Sequence, residues 1–149
     1  MEAMNLEILE FSAGGHSYGI NIGNIREILP YDKTPVPVYG AHPFIEGLIM
    51  PRDYLIPIID VVKILNLKDI EDHKEEMLIV TTYQNIGIHV DRVVGIYRVS
   101  SEDILSPGKD LTTSNKQAIS GILKIDDRTI EILDIETILR DINPDIKFA

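Results

Sequence analysis

Cysteine is missing from the 149-residue chain. That excludes a disulfide framework, a thiolate nucleophile and a thiolate metal site. Long apolar runs are missing too, since none approaches the ~20 residues that a membrane span requires. The opening, Met1 to Glu10, has an early acid and lacks the basic start and apolar stretch of a signal peptide. A cytoplasmic, soluble protein is expected. Positive charge is scarce, at 14 basic against 24 acidic residues, a net charge of -10. Such a surface repels phosphate backbones and anionic lipid, and no basic patch offsets it. Aromatic residues make up only 6%, which leaves few platforms for stacking bases. A nucleic-acid-binding barrel is therefore disfavoured.

Catalytic constellations are absent as well. His16, His42, His73 and His89 are spread along the chain without metal-ligand spacing. His89 lies between Ile88 and Val90 in an expected strand, which points it to solvent, and His42 precedes Pro43 in an expected turn. There is no glycine-rich phosphate loop and no G-x-S-x-G elbow. The adjacent acids Asp126-Asp127 and Glu75-Glu76 fall in expected turns or loops, whereas paired glycosidase acids flank a cleft. No catalytic residue, cofactor or metal is expected.

What the chain does have is 44% hydrophobic residues, enough to bury a core, at a length suited to one domain or two intimately packed subdomains. It also repeats itself. A shift of 74 positions lays Ile45–Leu65 over Ile119–Leu139 without a gap, with 8 identities in 21 positions. Chance would give roughly one or two. A weaker match at a shift of 68 lays Gly19-Ile20-Asn21-Ile22 over Gly87-Ile88-His89-Val90, Ile25 over Val93 and Ile28 over Ile96. Two copies of one supersecondary unit follow, with approximate halves 1–70 and 77–149. The mixed-charge run from Lys68 to Glu76 reads as a solvated loop between them.

Each unit opens on a hairpin: Leu6–Phe11 with Tyr18–Ile22, and Met77–Tyr83 with Ile86–Val90. Gly14-Gly15 and Gln84-Asn85 supply the turns. The copies then diverge. The spacing of Ile22, Ile25, Ile28 and Leu29 predicts a helix ended by Pro30, whereas Val93–Val99 predicts a strand. A second hairpin follows in each copy, Ile45–Met50 with Leu55–Ile59 and Ile119–Ile125 with Thr129–Leu133, the latter turning at Asp126-Asp127. Asp60 and Asp134 are placed to cap short helices, and Pro144 to help end the last one. Gly47 and Gly121, at equivalent places inside strands, predict a bulge or a close backbone approach. The expected class is mainly β: two small barrels side by side with short helices.

Several segments resemble a CheW-like domain. They are Phe11-Ser-Ala-Gly-Gly-His-Ser-Tyr18 running on to Ile25-Arg-Glu27-Ile, Thr34-Pro-Val-Pro37, Ile45-Glu-Gly47-Leu-Ile and Leu55-Ile-Pro57-Ile-Ile-Asp60. In the second half they are Gly87-Ile-His-Val-Asp91-Arg-Val and Ile132-Leu-Asp134-Ile-Glu-Thr-Ile-Leu139. The resemblance spans nearly the whole chain in order. It implies one domain over 1–149 built from two five-stranded, SH3-like barrels with a hydrophobic seam, and it leaves open an exchange of strands between them. It implies no catalysis. The implied role is a chemotaxis adaptor that couples methyl-accepting chemoreceptors to the regulatory domain of the histidine kinase CheA. Such an adaptor is recruited to receptor arrays at the inner face of the membrane.

The family's usual Asn-Leu-Arg-Gly reads Met50-Pro51-Arg52-Asp53 here, with the arginine kept and an aspartate at the turn glycine. The resemblance makes Arg52, Ile25, Glu27 and Gly47 the expected partner-binding residues. The segments around Met50–Asp53 and Arg140–Pro144 are similar to CheV, a relative with an added receiver domain. The expectation is the amino-terminal domain of a CheV-type protein, with a single-domain relative as the alternative. Rival readings are a regulatory-domain fragment of a CheA-type kinase, which the closeness of Met1 to the first strand weighs against, and a generic SH3-like ligand-binding module.

Overall fold

The apolar runs of the sequence become strands, and the central ones are buried on both faces. A computed structural model of the chain describes residues 3–51, 53–69 and 75–143. Its first half forms β1 (Asn5–Ala13), β2 (His16–Asn21), β3 (Ile25–Pro30), β4 (Ile45–Ile49), β5 (Ile56–Asp60) and the one-turn helix α1 (Val61–Ile64). The second half forms β6 (Met77–Thr81), β7 (Gly87–Val90), β8 (Arg92–Ser100), β9 (Ile119–Ile125), β10 (Arg128–Leu133) and α2 (Ile135–Ile142). The turns use the residues expected of them. Gly14 and Gly15 sit at φ 56° and 82°, Gln84 and Asn85 at 53° and 56°, and Asp126 at 53°. Asp60 accepts a bond from the Val62 amide at 3.0 Å, and Asp134 one from the Thr137 amide at 3.1 Å, so each caps its helix.

The strands make two five-stranded sheets, ordered β8-β1-β2-β10-β9 and β3-β6-β7-β5-β4. Both follow one plan. The opening hairpin of one half pairs in parallel with the closing hairpin of the other, through β2 with β10 and β5 with β7, and the remaining pairs are antiparallel. Three apolar clusters result. Ile8, Val99, Leu123, Ile130 and Ile132 fill the first sheet, and Ile49, Ile56, Ile58, Leu78 and Val80 fill the second. A larger cluster, including Leu9, Phe11, Tyr18, Ile59, Ile79, Ile88 and Leu133, lies between the sheets as a seam. Alternate residues of one strand thus serve different cores: Ile8 faces the first interior and Leu9 the seam, while Ile58 faces the second interior and Ile59 the seam. At roughly 25 cal/mol per Å² of apolar surface, burial on both faces is the main force holding the strands.

The segment Ile22–Leu29 departs from the expected helix. Only Ile22–Asn24 makes a 3₁₀ turn, capped by Asn21, before β3 begins. The pairing of β3 with β6 shifts register between Ile25 and Glu27. That bulge inserts one residue, so Ile25 and Ile28 both pack on the seam cluster. A spacing of three, read as helical, is therefore an interrupted alternation. Pro30 ends β3 at the sheet edge, where its lost amide is tolerated. The two halves do not diverge here, because β3 and β8 take equivalent edge places. Pro144 and most of the charged run, at 70–74, lie outside the described residues.

Candidate interaction surface

Three of the four expected partner-binding residues lie on edge strands of the second sheet. Ile25 and Glu27 are in β3, on a strand and not on the short helix expected for them, and Gly47 is in β4. Glu27 faces the same side as Leu29, toward the second sheet's interior, where Tyr54 packs. The Tyr54 hydroxyl donates to Glu27 Oε1, and the Arg26 guanidinium lies 4.4 Å over the Tyr54 ring while donating to Asn85 Oδ1. The turn after β4 is thus tied to β3. Arg52, between Pro51 and Asp53 in the sequence, lies outside the described residues.

Gly47 combines both expected features. The β4–β5 register shifts between Ile45 and Gly47, and a Cβ there would stand 2.5 Å from the Val36 carbonyl oxygen. The reason is a bridge in which Val36 and Leu48 exchange amide bonds at 2.8 and 2.9 Å. The first sheet repeats it, with Leu105 bridged to Ile122 over Gly121. Beside this bridge lies an apolar groove of about 340 Å³, lined by Lys33, Val36, Leu48, Ile49, Met50 and Leu55. Val36 is 67% exposed, Met50 57%, Leu55 50% and Tyr39 fully. Sequence reasoning missed this face. Its only signal was apolar residues in a proline-rich loop, Thr34–Val38, where burial has no periodic pattern to reveal it.

The opposite end of the second sheet's interior is polar. His89 does not point to solvent; its side chain is only 15% exposed. Gly87 and His89 face the interior because Ile88 and Val90 face the seam. His89 Nδ1 is 2.6 Å from Glu46 Oε1 and Nε2 is 3.1 Å from Glu76 Oε1, with the ring stacked 3.9 Å from Tyr31. The Tyr31 hydroxyl donates to Glu46 Oε2 at 2.7 Å. Burial lowers the imidazole pKa, but the bond to Glu46 and the charges of Glu46 and Glu76 outweigh it, so the net shift is upward. Burial would raise Glu46, yet the bonds from His89 and Tyr31 hold it below the usual carboxylate range. Asp60 is pushed up, first by burial and then by the neighbouring Glu46 carboxylate. His42, by contrast, has the expected turn role and accepts from the Phe44 amide at 3.1 Å.

The first sheet has polar contacts of its own at other places, and they are structural. Buried Glu10 accepts from Arg128 Nη1 at 2.7 and 2.8 Å, and Arg128 Nη2 bonds Tyr97 at 2.6 Å. Buried Glu131 accepts from the Thr112 amide and hydroxyl, which pins the loop before β9. Among the described residues every buried side-chain nitrogen or oxygen has a hydrogen-bond partner.

Two five-stranded sheets sharing one apolar seam define a mainly β module. The CheW-like domain model matches residues 7–143, so the chain belongs to the CheW-like domain family. It is a chemotaxis coupling adaptor. The chain is 31% identical over 141 residues to the chemotaxis protein CheW of Thermotoga maritima, covering 91% of this chain and 89% of that protein. It is 33% identical over 143 residues to the chemotaxis protein CheV3 of Helicobacter pylori, covering 89% of this chain but 44% of that protein. The crystal structure of the scaffolding protein TtCheW from Thermoanaerobacter tengcongensis superposes with a TM-score of 0.83 at 26% identity, covering 97% of this chain and 99% of that one.

Proposed function

We propose that the chain acts by binding alone, joining the regulatory domain of a CheA-type histidine kinase to the cytoplasmic tips of methyl-accepting chemoreceptors. It carries out no catalysed step, and it is drawn to receptor arrays at the inner face of the membrane. Residues 1–149 act as one domain whose halves, 1–70 and 77–149, arose by duplication. The surface assigned to partner contact is the β3–β4 side of the second sheet, around Glu27, Gly47, Tyr54 and the turn carrying Arg52. One observation carries the reading: Val36, Met50 and Leu55 are exposed together around an apolar groove beside that turn. An apolar patch rimmed by polar groups is the ordinary mark of a protein contact. No helix among the described residues is long and apolar enough to cross a membrane, which accords with a protein recruited to one.

Met50→Lys and Leu55→Lys test the surface. Both side chains are at least half exposed, so folding should survive. Placing a charge in the centre of an interface should weaken binding to the kinase domain or to receptor fragments by about tenfold or more, or ~1.4 kcal/mol. Unchanged affinity for both partners would remove this face from the proposal.

A further inference from the structure

The polar end of the second sheet has no counterpart in the first, although the same fold closes both. The register makes the comparison residue by residue. Leu78 opposite His89 matches Ile8 opposite Asn21, and the shift of 74 lays Glu46 on Ser120 and Asp60 on Asp134. Two residues further along, Glu76 and Tyr31 match Leu6 and Val99. Only the helix-capping aspartate is common to both sets. In the first sheet the place is an open groove of about 500 Å³, lined by Leu6, Asn21, Ser120 and Asp134 among others. The ionisable side chains of the second sheet are therefore not a requirement of the architecture.

What they form has the chemistry of a metal site. Glu46 from β4, Asp60 from β5 and His89 from β7 each offer one ligand atom, and these atoms lie within 4.8 Å of one another. Two carboxylates so placed repel each other, and a divalent cation held between them relieves that repulsion. One imidazole nitrogen with two carboxylate oxygens suits a first-row divalent ion, which binds such donors at about 2.0–2.2 Å. The supporting contacts are those that orient metal ligands. Nε2 of His89 is bonded to Glu76, which leaves Nδ1 directed at Glu46. The second oxygen of Glu46 is held by Tyr31, and Asp60 is fixed by the Val62 amide. Side-chain exposures of 15% for His89 and 17% for Glu46 leave a path from solvent.

We propose that Glu46, Asp60 and His89 form a binding site for a divalent transition-metal ion, with Glu76 and Tyr31 as its outer supports. On binding, the ion displaces the proton held between His89 and Glu46, which passes to solvent, while the bond from Nε2 to Glu76 persists. The ion would lock β4, β5 and β7 together. The spacing of histidines along the sequence could not show this, because the ligands come from three strands.

The test titrates chelator-treated chain with Zn²⁺ by calorimetry and with Co²⁺ by visible absorption. The expected result is saturation at one ion per chain, with a Zn²⁺-dependent rise in melting temperature. Glu46→Gln and His89→Asn should each weaken binding by more than about tenfold, and Glu76→Gln by about tenfold, with melting in chelator confirming the fold. His89→Asn introduces the residue found at the matching place, Asn21. Should it fail to fold, the isosteric Glu46→Gln decides. His16→Ala and His42→Ala should leave affinity unchanged. Absence of stoichiometric binding, or affinity that survives Glu46→Gln and follows His16 or His42 instead, would overturn the site.

Discussion

Gly47 shows how much a single position can carry. Its missing Cβ leaves room for the Val36 carbonyl, and any side chain would meet backbone there. Backbone held in a bridge cannot step aside as a flexible side-chain end can. Gly47→Val is expected to cost more than ~1 kcal/mol in urea unfolding, or to abolish a partner contact while the fold holds. Unchanged melting together with unchanged binding would contradict this. The close approach was legible in the sequence because the same glycine stands at Gly121 in the second half. Arg52 is a different case. The arginine fork can make two parallel bonds to a carboxylate, which lysine does not reproduce. Arg52→Lys is expected to leave the melt intact and to weaken kinase or receptor binding by roughly tenfold, about 1.4 kcal/mol. Affinity titrations beside a thermal melt check it, and undiminished affinity for both partners would make Arg52 an ordinary surface residue.

At the scale of elements, local chemistry was readable and interrupted periodicity was not. The hairpin turns declared themselves through Gly14-Gly15, Gln84-Asn85 and Asp126-Asp127, because few residues accept positive φ. β3 was missed because a bulge turns alternation into a spacing of three, and isoleucines so spaced imitate a helix face. His89 was misplaced for a related reason. Alternation implies a wet face only when a sheet has one, and these strands are buried on both. The helix caps were read correctly, and they give a sharp prediction. Asp134 holds the first turn of α2, whose Ile135, Ile138 and Leu139 are buried. Asp134→Ala should cost ~0.5–2 kcal/mol and Asp134→Asn much less, since asparagine caps about as well. Equal losses for the two variants in denaturant melts would assign the effect to something other than the cap.

The whole molecule is two sheets on one plan. The mainly β class followed from the many short strands and turn signals, and the topology supplies what sequence could not. Each sheet takes two strands from one half of the chain and three from the other. The seam cluster joins residues from both halves of the chain, and no local pattern encodes such pairing. The exposed face was equally hidden, because outward apolar residues in a loop leave no periodic trace. The central claim concerns that assembled surface: the chain couples a kinase to receptors by binding both. Receptor-bearing membranes are mixed with a CheA-type kinase and increasing amounts of the chain, up to micromolar concentration, and then sedimented. The kinase should move into the pellet in a saturable way as the chain is added. A pelleted fraction that stays constant across the whole range would contradict the coupling role.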